Sequence, residues 1–274
     1  MGEVTIYDVA RGLVNRSPET KFWEVDAPYA APGEFESYEY IFHELIQKVG
    51  ITTFVNWLME RKQQGSGSNV LDLFGSGWFV ENPEEVDAVI GFRLGDSSSH
   101  IVEILQETLS NQSNNLDRNK MLHALRVIER FNAANNTAIH IGNIYSLLSW
   151  NQLYRLMRQM EIDTFDLIIA KPEGAFYPGI IAGDGPKIWE SQELYQIIFL
   201  RVLERAYKSL STSNGILIFQ IPNFAKNVFN NQVLPILKHK GIEMYVASES
   251  RQFLPAALIR KNSESPQSIE DLLR

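Results

Sequence analysis

The sequence predicts one α/β domain built on a mostly parallel seven-stranded sheet whose terminal strand runs antiparallel. Three observations predict it. From residue 70 onwards short apolar runs alternate with segments of helical periodicity, the pattern of a parallel sheet covered on both faces. Two of those runs, FDLIIA and ILIF, are apolar throughout except for one Asp, as in strands buried on both faces. The last two runs are separated only by residues 248–255, fewer than the roughly dozen residues that a parallel crossover takes. With 274 residues, 45% of them apolar, the chain is long enough to close one large core.

Residues 1–64 are read as an N-terminal extension that packs on or covers the domain. Up to residue 33 they show no sustained period around WEVDAPYAAPGEF and are expected to form an irregular arm. From Tyr38 the positions Ile41, Phe42, Leu45, Ile46 and Val49, then Phe54, Val55, Leu58 and Met59, recur at helical spacing and predict one or two helices. The QQGSGS stretch from Gln63 to Ser68 ends them. Residues 65–261 carry the α/β domain, with strands expected at Val70–Leu73, Ala88–Leu94, Ala138–Ile141, Phe165–Ala170, Ile216–Ile221, Glu243–Ala247 and Ala256–Ile259. The crossover between the first two is near the minimum and is interrupted by Pro83, so its helix must be short. Tyr195, Phe199, Val202, Leu203, Ala206 and Leu210 mark one face of a long helix, entered at the capping candidate Ser191 and left through Asn214–Gly215. Residues 262–274 form a polar C-terminal tail.

Composition excludes several function classes. Twenty-five Lys and Arg against thirty-three Asp and Glu leave a net charge of −8, which repels nucleic acid unless a local basic patch overcomes it. The absence of cysteine removes disulfides, thiolate metal sites and cysteine nucleophiles. The five histidines, His43, His100, His123, His140 and His239, show no metal-ligand spacing, and no metal is expected. No apolar run approaches the length that spans a bilayer, and the first thirty residues lack a signal-peptide pattern, so a soluble, cytoplasmic protein is expected.

Chemistry is concentrated in three segments. In NVLDLFGSGWF, Asn69 to Phe79, the first strand delivers a carboxylate, Asp72, into a turn containing Gly75 and Gly77, where the backbone can approach a ligand closely. In IHIGNIYSL, Asn143 follows the third strand. In FDLIIAKPEGAF, Lys171, Glu173 and Tyr177 follow the fourth, where a substrate would arrive. In this order, and over roughly residues 65 to 260, the chain resembles a diverged member of the class I S-adenosylmethionine-dependent methyltransferases, whose seven-stranded sheet also closes with an antiparallel strand. The resemblance implies a three-layer Rossmann-like methyltransferase fold, S-adenosylmethionine as cofactor, and methyl transfer to a small-molecule or protein acceptor. It places the cofactor against Asp72, Phe74, Gly75, Ser76, Gly77, Arg93, Asp96, Asn143 and Ile144, and makes Lys171, Glu173 and Tyr177 the candidates on the acceptor side.

Departures from the family pattern are specific. With Asp72 aligned to the family's acid, Phe74, Ser76 and Trp78 stand where glycines are usual; alternatively the run is DLFAGSG with one residue deleted. Arg93 occupies the place of the ribose-binding acid, with Asp96 the nearest substitute. KPEG lacks the Asn or Asp that amino-group methyltransferases place before Pro-Pro-aromatic. Trp78 is a candidate aromatic face for a sulfonium.

Two other functions are carried alongside. Gly75-x-Gly77-x-x-Val80, followed by Arg93 and Ser97, Ser98 and Ser99, is a partial fingerprint for an NADP-dependent reductase. The filled glycine positions also fit a catalytically inactive binding or scaffold module, with the tail as a partner-binding segment. Plainer roles stand beside each residue: a surface ion pair for Arg93, a helix cap for Asn143, a solvated loop for Lys171 and Glu173, core packing for Trp23, Tyr29, Tyr38 and Tyr40 in place of an aromatic lid, and solvated helix faces for Arg155 with Arg158 and Arg201 with Arg205.

Overall fold

The computed structural model describes residues 38–93, 115–171 apart from 145, 192–222, 225–247 and 255–270, together with some helical residues within 102–110. Ser191, Trp23 and Tyr29 lie outside the described residues. The chain enters through α1 (Tyr38–Ile41), α2 (His43–Lys48) and α3 (Phe54–Gln63), the last capped by the Thr53 hydroxyl, which accepts the Asn56 amide. Then follow β1 (Asn69–Leu73), a 3₁₀ turn at Pro83–Glu85, β2 (Ala88–Arg93), α4 (Asn115–Ala133), β3 (Thr137–Ile141), α5 (Leu147–Gln159), β4 (Leu167–Ala170) and α6 (Gln192–Lys208). The last part comprises β5 (Gly215–Gln220), α7 (Lys226–Val228), a π-helical stretch at Phe229–Val233, α8 (Leu234–His239), β6 (Glu243–Ala247) and β7 (Ala256–Lys261).

All seven expected strands form, and they join one sheet of order β3-β2-β1-β4-β5-β7-β6. β1 pairs in parallel with β2 and β4, and β7 pairs antiparallel with both β5 and β6. The reversed strand is thus last in the chain but second from the edge, inserted between β5 and β6. From β1 the chain steps outward to β3 and then returns to β4 on β1's other side. The carboxyl ends of β1 and β4 therefore diverge into the crevice expected where a sheet's winding reverses.

Alternation along each strand separates two cores. Leu71, Leu73, Ile168, Leu217 and Ile259 face α5, α6 and α8, packing with Trp150, Leu203 and Leu237. Val70, Val89, Ile169, Ile216 and Leu258 face the opposite layer, packing with Phe42 at the start of α2 and with Leu45, Phe54, Val127 and Phe131 from α2, α3 and α4. Full burial of an apolar side chain of this size stabilises by about 1.5–3 kcal/mol, so the two layers supply the main driving force.

At the amino ends of the strands a buried ion pair ties α3 to the sheet. Arg61 Nη2 approaches Asp166 Oδ1 at 2.6 Å, and the same guanidinium donates to the carbonyls of Ser66, Gly67 and Ser213. Asp166 Oδ2 accepts the Asn69 amide at the start of β1.

The polar tail beyond β7 packs against the domain as far as residue 270. Ile269 is fully buried, and both oxygens of Glu204 on α6 are occupied, one by the Ser268 hydroxyl and the other by the Ile269 amide. The Arg201/Arg205 face is likewise not simply solvated. Burial, with the neighbouring Arg201 charge, lowers the Arg205 guanidinium to about 10.

Candidate functional site

The turn after β1 is built by the Asp72 carboxylate. The residue is 3% exposed; one oxygen accepts the Gly77 amide at 2.9 Å and the other the Tyr38 hydroxyl of α1 at 3.0 Å. A charged acceptor makes these bonds stronger than neutral ones and holds the loop folded back on its own strand. Glycine is obligatory at Gly75 because a Cβ there would overlap that carboxylate. Phe74 continues the β1–β2 ladder by donating its amide to the Phe92 carbonyl, and then takes a left-handed conformation at φ 74°. A bulky residue in that region is strained, and it stands where the family resemblance expects glycine.

The loop lies flat on β2. Gly91 makes this possible, since a Cβ there would come within 2.5 Å of the Ser76 backbone. At the end of β2, Arg93 is nine-tenths buried and its Nη1 donates to the Ser76 hydroxyl. The Arg93 guanidinium is thus inside, braced against the loop, and not on a solvated surface. Beyond Gly77 the chain drives Trp78 and Val80 into the core against Val89 and Phe131, and Trp78 is 2% exposed. Trp78 thus packs in the core, which corrects the reading of its indole as a face for a ligand.

On the next strand, Gly142 donates its amide to the Arg93 carbonyl, bringing Asn143 to the end of β3. Asn143 is buried and its carbonyl accepts the Ser146 amide; the cap of α5 is Ser146, whose hydroxyl accepts the Leu148 amide. Ile144 is fully buried, and its carbonyl accepts the Trp150 indole N–H at 2.6 Å. Nearby His140 packs on Phe92 and donates through Nε2 to the Ser149 carbonyl, and burial holds its pKa below the ordinary value.

Lys171 leaves β4 directly and is 7% exposed, so it does not sit on a solvated loop. Ala170 pairs with Phe219, which puts Lys171 and Gln220 side by side one residue further along β4 and β5. Asp96, Ser97, Ser98, Ser99, Glu173 and Tyr177 lie outside the described residues. The structure thus brings Asp72, Phe74, Gly75, Ser76, Gly77, Arg93, Asn143 and Lys171 together at the carboxyl ends of β1 to β4. Sequence reasoning missed Tyr38 as a partner of Asp72, Gly91 and Gln220. Glycine inside the strand AVIGFR was a legible sign of close backbone approach; Tyr38 carried no such sign. Among the described residues, no group of three His, Asp or Glu is placed to hold a metal ion, and no helix is long and apolar enough to cross a membrane.

The residues fit an adenosyl group unevenly. The glycine turn and the buried carboxylate behind it make a backbone-lined surface beside the crevice, and Asn143 offers a polar contact at the end of β3. Among the described residues no carboxylate stands at the end of β2, where Arg93 is found instead.

No family model and no curated protein matches the chain. Solved structures do. An rRNA methylase from Streptococcus thermophilus is 12% identical with a TM-score of 0.38, covering 71% of this chain and 87% of its own. An rRNA methyltransferase from Streptomyces viridochromogenes is 13% identical with a TM-score of 0.37, covering 80% and 86%. A methyltransferase from Pyrococcus furiosus is 15% identical with a TM-score of 0.37, covering 86% and 99%. Similarity this distant says nothing about a shared substrate. The sheet itself, with β7 reversed between β5 and β6 and the winding reversing between β1 and β4, has the Rossmann-like arrangement with an antiparallel strand near its end that the sequence predicts.

Proposed function

We propose that the protein binds S-adenosylmethionine at the carboxyl ends of β1 to β3 and transfers its methyl group to a small-molecule or protein acceptor. The observation that carries this reading is the turn after β1: a buried carboxylate folds a glycine loop onto two neighbouring strands beside the point where the sheet's winding reverses. When bound, the cofactor supplies a methyl group on a sulfonium, passed to an acceptor lone pair as the carbon–sulfur bond breaks and its electrons return to sulfur. The chain's own work is positional. Asp72 holds the loop, Tyr38 holds Asp72, and Arg93 braces Ser76, so that loop amides and Asn143 meet a rigidly placed nucleoside. Lys171, with Glu173 and Tyr177 after it, borders the acceptor side.

The NADP reading fares worse on a specific observation. A pyrophosphate needs the positive end of a helix after the glycine loop. Here the loop is followed by a three-residue 3₁₀ turn carrying Glu84 and Glu85, whose charges repel it. In the third reading, a catalytically inactive binding or scaffold module, the filled loop takes none of these cofactors and all three titrations are silent.

Calorimetric titration with S-adenosylmethionine, S-adenosylhomocysteine and NADPH separates the three. Binding of the first two and not the third is expected. Silence from the sulfur compounds would refute the assignment, and NADPH binding would revive the reductase. Arg93→Asp adds a test of the ribose end: tighter S-adenosylmethionine binding marks the arginine as a defect in the pocket, weaker binding as a contact.

A further inference from the structure

Tyr38 grips the glycine loop at both ends. Its hydroxyl donates at 3.0 Å to Asp72, whose other oxygen closes the loop through the Gly77 amide. Its ring meets the Phe79 ring, just past the loop, edge to face with centroids 4.9 Å apart. Tyr38 is 4% exposed and Asp72 3%, so the hydrogen bond forms away from water, where a carboxylate acceptor makes it strong. Tyr38 also opens α1, and α1 and α2 are held at points remote from the loop. Glu39 accepts the Phe54 amide at the start of α3, at 3.0 Å. Phe42, Leu45 and Ile46 are buried in the core on that face of the sheet, and Lys48 Nζ donates to the Val246 carbonyl of the edge strand β6 at 3.4 Å.

We propose that Tyr38 is a positioning residue that couples the glycine loop to α1 and α2: the loop opens only when α1 lifts, and a ligand resting on the closed loop holds α1 down. The two contacts flank the loop, so neither end of it moves without breaking one of them. With α1 lifted, Asp72 loses a donor that fixes its rotamer, and the oxygen on Gly77 can turn away. The coupling is reciprocal, so removing the hydroxyl weakens any ligand that needs the closed loop. The clamp itself stands on the contacts of Tyr38; naming its ligand S-adenosylmethionine rests on the methyl-transfer reading.

Hydrogen exchange of the full chain, followed by NMR in urea, tests the clamp without a ligand. The Gly77 amide and the Phe42 amide, which donates to the Tyr38 carbonyl, are expected to share one opening. Their protection should agree within about threefold, with the same urea dependence, and lie below that of the Ile169 amide in β4. Gly77 exchanging far faster than Phe42, or both exchanging only together with Ile169, would overturn the proposal. Tyr38→Phe keeps the ring and removes the hydroxyl: Gly77 exchange should rise about tenfold and separate from that of Phe42. S-adenosylmethionine adds a second readout. It should slow both amides in the unaltered protein, bind Tyr38→Phe about tenfold more weakly, and there slow Gly77 alone. Unchanged Gly77 exchange or unchanged S-adenosylmethionine affinity in the variant would equally overturn it. The unaltered protein decides even if the variant fails to fold. Shared exchange without S-adenosylmethionine binding would leave the clamp standing and the methyl-transfer reading fallen; binding with independent exchange would do the reverse.

Discussion

At the scale of single residues, the Asp72 carboxylate decides the local structure, and its neighbours are chosen to fit it. Gly75→Ala would drive a methyl group into that carboxylate and displace it from Gly77 and Tyr38. Loss of two charged hydrogen bonds plus the steric shift gives an expected cost of about 2–4 kcal/mol in urea unfolding. The same variant should no longer bind S-adenosylmethionine. A loss under 0.5 kcal/mol would mean that the turn does not depend on the carboxylate. His140 gives a residue-scale pH effect. Burial lowers its pKa, so the folded state resists protonation. Its stabilising contribution is complete above the ordinary value of 6.5 and is lost as pH falls through the lowered folded value. His140→Gln should show a shallower decline in stability below pH 6.5 than the unaltered protein, measured as the denaturation midpoint against pH. An equal or steeper decline would mean that protonation of another group governs that range. The candidate site was half legible at this scale. Asp72, Gly75 and Gly77 are adjacent in sequence and announce a turn; the Tyr38 hydroxyl reaches Asp72 across thirty-four residues, and no local pattern encodes such a contact. Trp78 misled because an aromatic residue beside a glycine loop has the same sequence whether it faces a ligand or the core.

Among the elements, the junction of α3, β1 and β4 rests on one buried ion pair. Arg61→Met would leave the Asp166 carboxylate buried beside the Asn69 amide alone, and a stranded charge of this kind costs about 3–5 kcal/mol. Pairing it with Asp166→Leu removes the stranded charge, so the double variant should be less destabilised than Arg61→Met by itself. A double-mutant cycle in urea checks this; simple additivity would show that the two groups do not act on each other. The pair was not foreseen, because Arg61 and Asp166 sit in separate helix and strand patterns that are each complete without it. What was legible at this scale was the set of strands. FDLIIA and GILIFQ are buried on both faces, so hydrophobicity alone marks them, and the eight-residue return into β7 allows only one direction. Strand order was not legible in the same way. Nothing in EMYVA or AALIRK states that the final strand slides between β5 and β6, since that depends on how helices pack once the sheet exists.

For the molecule as a whole, the end of the chain acts as a strap. After β7 it returns across α6, seats Ile269 in the core and covers Glu204, while the Tyr207 hydroxyl donates to the Pro266 carbonyl and Lys261 Nζ to the Tyr207 carbonyl. The sequence hid this because residues 262–268 are nearly all polar and, among the described residues of the tail, Ile269 alone is buried. Ile269→Ala is expected to cost about 2–4 kcal/mol, as for other deletions from a packed core. Truncation after Asn262 adds a dependence on pH whose sign follows from Glu204. Burial raises that carboxyl's pKa above its usual value, against the smaller opposing effects of Ser268 and the Ile269 amide. A raised folded value means that the stabilisation linked to Glu204 is fully present below the unfolded value of 4.5 and is lost as pH rises through the folded one. Removing the strap returns Glu204 to solvent and cancels the shift. The stability gap between the full and truncated chains should therefore be wider at pH 4.5 than at pH 8 in urea unfolding. A gap that grows with pH would show that the strap's hydrogen bonds to the ionised carboxylate outweigh its burial, and that charge rather than the apolar anchor holds the end of the chain in place.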